Sequence, residues 1–372
     1  ELYVAHGPVL LPVARLTLAI GVMGVALRVE PDFYRQHWRA LAMVLGPLMV
    51  AMWATSSFLG WLILGLAPAI AILVGACLTP TDPVLASSIV TGSLAEKHLP
   101  QPLRRLLSAE SGANDGLAIL FVLLPLLVVS GGEGSGWGKW FVEGLGRHVG
   151  LALLVGLVAG SLAGKALDWA CSRDAILETS YLVFSLALTL LVLAVCRLLE
   201  ASGILAVFVA GVAFSLTTTR QERLGEERVQ EAFNRLLLVP VFVLLGVGLP
   251  FEHWRSLGWA GIGFVAAVLV ARRWPWVLLL RPGLKPVREW PEAMFYGWFG
   301  PIGIAALVYG CDAAIRQDDE TIWHLVSLVV VASVVAHGIT AAPWTRWMET
   351  DGAGDVEPSE DQSPVNTPAT SG

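Results

Sequence analysis

Charge is what this chain is short of. Of its 372 residues only 15% are Asp, Glu, Lys or Arg, and 55% are hydrophobic, with a mean hydropathy of +0.68. A soluble domain carries about 25% charged residues, so an ordinary soluble globular protein is excluded and a polytopic membrane protein takes its place. Cysteine is scarce too: Cys77, Cys171, Cys196 and Cys311 lie scattered in apolar runs without metal-ligand spacing, and read as small buried hydrophobes. With no His/Cys cluster, transition metals are not expected, nor is any cofactor or nucleic-acid partner. No G-x-S-x-G nucleophile setting occurs, and short internal repeats are absent. Glu1 to Gly7 lacks a basic n-region and a small-residue cleavage site, so no signal peptide is read. The chain opens almost inside an apolar segment, as a fragment lacking upstream helices would.

What is there is a series of apolar runs, each long enough to span ~30 Å of hydrocarbon. Eleven are marked off, at about 8–27, 40–60, 67–91, 106–130, 148–168, 178–198, 202–218, 236–250, 257–280, 292–310 and 321–343. With the N-terminus outside, the alternate loops place sixteen Lys and Arg inside and five outside (Lys139, Arg147, Arg197, Arg255 and Arg316). That sorting obeys the positive-inside rule and gives an N-out, C-in topology. Trp residues gather near run ends, as an aromatic belt would. From residue 348 to 372 the sequence turns polar and acidic and reads as a disordered cytoplasmic tail.

The run 106–130, LLSAESGANDGLAILFVLLPLLVVS, holds Glu110, Ser111, Asn114 and Asp115 in its first third. An ionised carboxylate at the bilayer centre costs roughly 3 kcal/mol on insertion scales, so two of them in one span point to function. On a helix Glu110 and Asn114 sit one turn apart, and Ser111 and Asp115 form a second such pair. One side of this helix therefore offers oxygen ligands and a titratable acid.

Two other runs are interrupted. Thr79-Pro80-Thr81-Asp82-Pro83 breaks the run 67–91, and Gly297-Trp298-Phe299-Gly300-Pro301-Ile302-Gly303 breaks the run 292–310. Prolines at membrane depth remove backbone hydrogen bonds, and such backbone persists only where protein or a watery cavity satisfies it. Thr81-Asp82-Pro83 can be a turn, a structural kink with a satisfied acid, or an unwound cation site offering carbonyls and Asp82 to a hard cation. Two broken helices far apart in sequence are what an inverted-repeat transporter shows. Arg272 and Arg273 either snorkel to the inner face or supply a counter-charge to Glu110. Arg15 caps a local carboxylate or reaches the outer interface. His337, alone on an apolar face, reads as packed or hydrogen-bonded.

With those residues in view, LTPTDPVLASSIV, LLSAESGANDGLAILF and GWFGPIGIAALVY resemble the signature stretches of the monovalent cation:proton antiporter-1 family, in its fungal plasma-membrane and bacterial-like branch. The similarity runs to about residue 343. It implies an inverted-repeat, all-α fold of thirteen helices with two crossed broken helices, two N-terminal helices being missing here. It implies a transmembrane exchanger domain over 1–347, with core elements at about 40–130 and 257–343 and dimer-forming scaffold elements at about 1–30 and 148–250. By resemblance, Asp115 and Asp82 bind Na+ or the proton with Ser111 and Thr81, and Asn114 steadies the unwound segment. Glu110 forms a structural ion pair with Arg272 or Arg273. Pro80, Pro83, Gly300, Pro301 and Gly303 make the helix breaks. An Asn-Asp pair goes with electroneutral one-for-one exchange.

The function this implies is secondary antiport of Na+, or of Li+ or K+, against H+ by competition at one carboxylate. It places the chain in the plasma membrane as a multi-pass homodimer serving pH homeostasis and salt tolerance. The rivals are a K+/H+ antiporter, a cation channel lined by the same acids, and an intramembrane hydrolase using Ser111 and His337. Two departures stand out. Many relatives carry Arg where the GP-x-G segment here has Ile302, and the span 8–27 offers no Asp or Glu.

Overall fold

The structure, a computed structural model, describes residues 2–130, 136–173 and 183–348, and every regular element among them is helical. The tail from residue 349 and the first part of the run 178–198 lie outside the described residues. In chain order the principal helices are α1 (Leu2–Arg28), α2 (Trp38–Leu64), α3 (Pro68–Cys77), α4 (Pro83–Val90), α5 (Gln101–Ser130), α6 (Gly136–Cys171) and α7 (Phe184–Leu198). They continue as α8 (Gly203–Ser215), α9 (Arg220–Val247), α10 (Phe251–Ala271), α11 (Trp274–Leu280), α12 (Trp290–Trp298), α13 (Ile304–Gln317) and α14 (Glu320–Trp347).

Seven segments among the described residues are long and apolar enough to cross a bilayer unaided, beginning at Val9, Trp38, Gln101, Gly136, Gly225, Phe251 and Glu320. Each of the eleven expected runs contains described helix, but three of them are divided between two helices. The run 67–91 is divided into α3 and α4, the run 257–280 into α10 and α11, and the run 292–310 into α12 and α13. Proline sets several starts: Pro68 and Pro83 each stand at the head of a helix, where the missing N–H is an orphan anyway.

The centre of the molecule is α8, whose residues are almost all buried. Gly156, Gly160 and Gly164 on α6 recur every four residues and lie against the backbone of Ala206, Ala210 and Phe214 on α8. A Cβ on Gly160 would lie 2.8 Å from the Cα of Ala210, so only glycine permits this approach, the usual device where lipid offers no hydrophobic drive to helix association. On its other sides α8 receives α1, α5 and α7. The outward faces of α6 and α9 keep Leu153, Leu157, Leu162, Leu236, Val239 and Val243 exposed, which suits a lipid-facing surface.

At the end of the molecule bearing Arg28, ion pairs tie separate helices. Arg28 Nε donates to Glu227 at 2.6 Å and its Nη1 to Ser87 Oγ at 2.9 Å, and Arg105 pairs with Glu30 at 2.7 Å. At the opposite end Arg15 pairs with Asp312 at 3.0 Å, a carboxylate 297 residues away and not the local one expected.

Candidate ion-binding site

Four helix ends meet inside the protein. α3 stops at Cys77 and α4 starts at Pro83, while α12 stops at Trp298 and α13 starts at Ile304. The intervening extended segments cross, and the N–H of Asp82 donates to the Pro301 carbonyl at 2.8 Å. Such crossings leave orphan backbone groups at membrane depth, which must be satisfied inside the protein.

Two charged side chains do so. Asp82 caps both N-termini: its Oδ1 accepts the N–H groups of Val84 at 2.8 Å and Leu85 at 2.9 Å, and its Oδ2 accepts that of Ile304. Arg272 closes the C-terminal ends: its Nη1 donates to the carbonyls of Leu78, Thr79 at 3.2 Å and Pro80 at 3.4 Å, and its Nη2 to Gly300 at 2.5 Å. An anion faces the positive ends of two helix dipoles and a cation the negative ends, each sign favourable. Gly303 lets Asp82 in, since a Cβ there would lie 2.7 Å from the Asp82 carboxyl carbon.

α5 runs beside the crossing. Asn114 Nδ2 donates to Thr81 Oγ1 at 2.6 Å, and the Thr81 N–H donates to Asn114 Oδ1 at 3.3 Å. The amide thus holds the unwound strand through both of its ends. The next residue, Asp115, is fully buried, and neither carboxylate oxygen has a hydrogen-bond partner among the described residues. A buried ionised group without donors is costly, so this carboxyl demands a proton or a cation. Its backbone carbonyl is held by the Tyr309 hydroxyl at 2.5 Å, which fixes the helix without using the carboxyl group. Ser111, one turn earlier, donates its hydroxyl to the Ser108 carbonyl at 3.1 Å, leaving its oxygen lone pairs as acceptors; it makes no bond to the crossing.

The second acid of α5 is fully committed. Arg273 donates to Glu110 through both Nη atoms, at 2.6 and 2.7 Å, and the Tyr296 hydroxyl donates to Glu110 Oε2. The Arg273 guanidinium also lies 4.5 Å from the centre of the Tyr296 ring. Arg273 is 2% exposed and Glu110 1%, so neither snorkels to a surface. Arg273 is therefore the partner of Glu110, while Arg272 serves the helix ends.

Sequence reasoning missed several supporting residues. Tyr296 and Tyr309 carried a faint signal, being two of only five tyrosines, each set in an apolar run. Ser333 accepts the Ile302 N–H at 2.8 Å, and the ring nitrogens of His337 lie 2.7 Å from the Ser333 carbonyl and 2.9 Å from the Trp298 carbonyl. α14 thereby holds the second break from behind. Ile302 itself is buried, and the guanidinium at the crossing comes from Arg272. Among the described residues no group of three or more His, Cys, Asp and Glu side chains could hold a metal ion.

Comparison with known proteins places this geometry. A Na(+)/H(+) antiporter 2 of Zygosaccharomyces rouxii is 32% identical over 89% of this chain, which spans 45% of that protein's length. A Na(+)/H(+) antiporter of Schizosaccharomyces pombe is 27% identical over 92% of this chain and 79% of its own. The structure of the sodium proton antiporter MjNhaP1 from Methanocaldococcus jannaschii at pH 8 superposes with a TM-score of 0.72 at 16% identity, over 92% of this chain and 88% of that one, so the fold is shared. The family model for the sodium/hydrogen exchanger transmembrane region matches residues 3–347, and the chain belongs to that family.

Proposed function

We propose that this chain is the transmembrane part of a secondary antiporter, not an enzyme, which exchanges a monovalent alkali cation, Na+ foremost, for H+. The observation that carries the reading is Asp115: a buried carboxyl with no protein donor, beside two crossed helix breaks. A proton and a cation cannot both neutralise one carboxylate, so each expels the other. Thr81 and Ser111 supply hydroxyl oxygens and the unwound segment carbonyls, ligands suited to a hard cation. Pro80, Pro83, Gly300, Pro301 and Gly303 keep that backbone unwound.

Asp82 is engaged by three backbone N–H groups and Glu110 by Arg273, while Asn114 carries no charge. One carboxyl is then left to change its occupant, which supports electroneutral one-for-one exchange. A contribution of Asp82 to the cation would come from its outer lone pairs. The elements at about 40–130 and 257–343 form the moving core, and those at about 1–30 and 148–250 the scaffold that pairs two copies in the bilayer. The N-terminus of this chain lies outside and its C-terminus in the cytoplasm of a cell whose plasma membrane it serves, in salt tolerance and pH homeostasis.

In proteoliposomes carrying a pH gradient, adding Na+ should collapse the gradient, and clamping the voltage with valinomycin and K+ should leave the rate unchanged. Asp115→Asn should abolish the response while the protein still inserts. Sodium-dependent proton flux surviving in that variant refutes the assignment. A series with Li+, Na+, K+ and Rb+ decides the cargo, and K+ preferred over Na+ makes the protein a K+/H+ antiporter instead. Downhill current without proton counterflow makes it a channel.

A further inference from the structure

α9 carries Glu226, Gln230 and Asn234, four residues apart and all buried. That spacing sets them in file along one face. Buried polar groups are normally paired, and part of this file is. Glu226 Oε2 accepts the Ser185 N–H at 3.0 Å, and Gln230 Nε2 donates to Ser185 Oγ at 2.9 Å. The two amide oxygens, Gln230 Oε1 and Asn234 Oδ1, are buried without a hydrogen-bond partner among the described residues.

Both side chains border a cavity of about 100 Å³ between α1, α4 and α9, whose walls include Gly21, Gly24, Ser87, Arg28 and Arg235. α1 carries no side chain there, which lets α4 and α9 close in on it: a Cβ on Gly21 would lie 2.6 Å from Val84 Cγ2 and 3.3 Å from Asn234 Oδ1, and one on Gly24 3.3 Å from Gln230 Cβ. At ~30 Å³ of liquid volume per water the space admits about three waters, or an alkali ion that keeps part of its hydration shell. Arg28 and Glu231 also wall a larger cavity, of about 360 Å³, at the arginine-rich end of the molecule, so the two adjoin. Both guanidiniums lining the smaller cavity are offset, Arg28 by Glu227 at 2.6 Å and Arg235 by Glu231 at 2.6 Å, and do not bar a cation. Val84 also lines the smaller cavity, and its N–H is one of those capped by Asp82. The smaller cavity thus lies between the arginine-rich end and the first turn of α4, beside the crossing.

We propose that this cavity is a second cation station, in which Gln230 Oε1 and Asn234 Oδ1 coordinate the alkali ion on its way between the arginine-rich end and Asp115. Neutral amide oxygens suit a transit site, since a passing ion must bind well enough to enter and weakly enough to leave. The inference rests on the antiporter reading and adds residues that set which ion passes.

The test is initial proton-flux rate against Na+, Li+ and K+ concentration in proteoliposomes at one pH. Asn234→Ala removes a ligand and should raise the Na+ KM about five- to tenfold, the factor for about 1–1.4 kcal/mol, with the maximal rate kept. Asn234→Asp adds charge and should lower the KM and change the ion order. A purely structural asparagine would depress the maximal rate or the yield in both variants alike and leave KM and ion order where they were. That outcome, or unmoved KM values with normal rates, overturns the station while exchange by the wild type stands. No cation-coupled flux in the wild type overturns the antiporter reading, and the station with it.

Discussion

Glu110 and Asp115 stand five residues apart on α5 and meet opposite fates. Glu110 is held by Arg273 and Tyr296, whereas the Asp115 carboxyl has no donor among the described residues. Breaking a buried pair by removing one partner costs about 3–5 kcal/mol, because the other charge is left uncompensated. Arg273→Ala should therefore lower the melting temperature in detergent by many degrees or prevent accumulation. The double variant Glu110→Gln/Arg273→Met should recover a good part of that loss, and thermal melting of both checks it. Tyr296→Phe removes a single hydrogen bond to a charge, of about 1.5–3 kcal/mol, and should melt between wild type and Arg273→Ala. The need for a counter-charge to Glu110 was legible, since charge is so rare in these runs. The choice between two adjacent arginines was not. They lie in the bend between α10 and α11, where Arg272 keeps helical angles and Arg273 turns to φ −122°. That change of direction sends one guanidinium to Glu110 and the other to the helix ends, and no spacing rule encodes it.

Among the elements, the two breaks were readable from Thr79-Pro80-Thr81-Asp82-Pro83 and Gly300-Pro301-Ile302-Gly303 because proline and glycine at membrane depth have few other uses. What closes them was not readable. Arg272 bonds four carbonyls drawn from both breaks, and a planar fork of five donors reaches them in a way a single ammonium cannot. Arg272→Lys should fold yet exchange at least about tenfold more slowly, and Arg272→Leu should not accumulate. Initial rates and expression levels measure the two. Gly300→Ala should behave like Arg272→Leu, because its Cβ would fall 2.6 Å from Arg273 Cδ. Span boundaries were the least legible feature. The run 257–280 is marked off as one span that departs from a plain helix at Arg272-Arg273 before Pro275; the chain does bend there, and it bends again at Gly258, with φ of +54°, which was not readable.

Across the whole molecule, few polar bonds join the helices assigned to the core with those assigned to the scaffold at the arginine-rich end. Arg105–Glu30 joins α5 to the segment after α1, and Arg28–Ser87 joins α1 to α4. The first pair is partly exposed, 25% and 34%, and such a pair is worth about 0.2–1 kcal/mol. Glu30→Gln should therefore change the exchange rate by less than about fivefold, and the change should shrink as choline chloride is raised, since salt screens exposed charges. Reversing both charges together, Glu30→Arg with Arg105→Glu, should restore the wild-type rate. None of these long-range partners was legible, for each joins positions dozens of residues apart that only the packing brings together.

Asp82 grips three amides on two different half-helices. Pulling those halves apart would strip a carboxylate of its donors in the middle of the bilayer, so the cross is riveted. Under the proposed exchange, the cross travels past α1 and α9 as one rigid carriage and does not unzip, and alternating exposure of the ion seat comes from sliding that carriage whole.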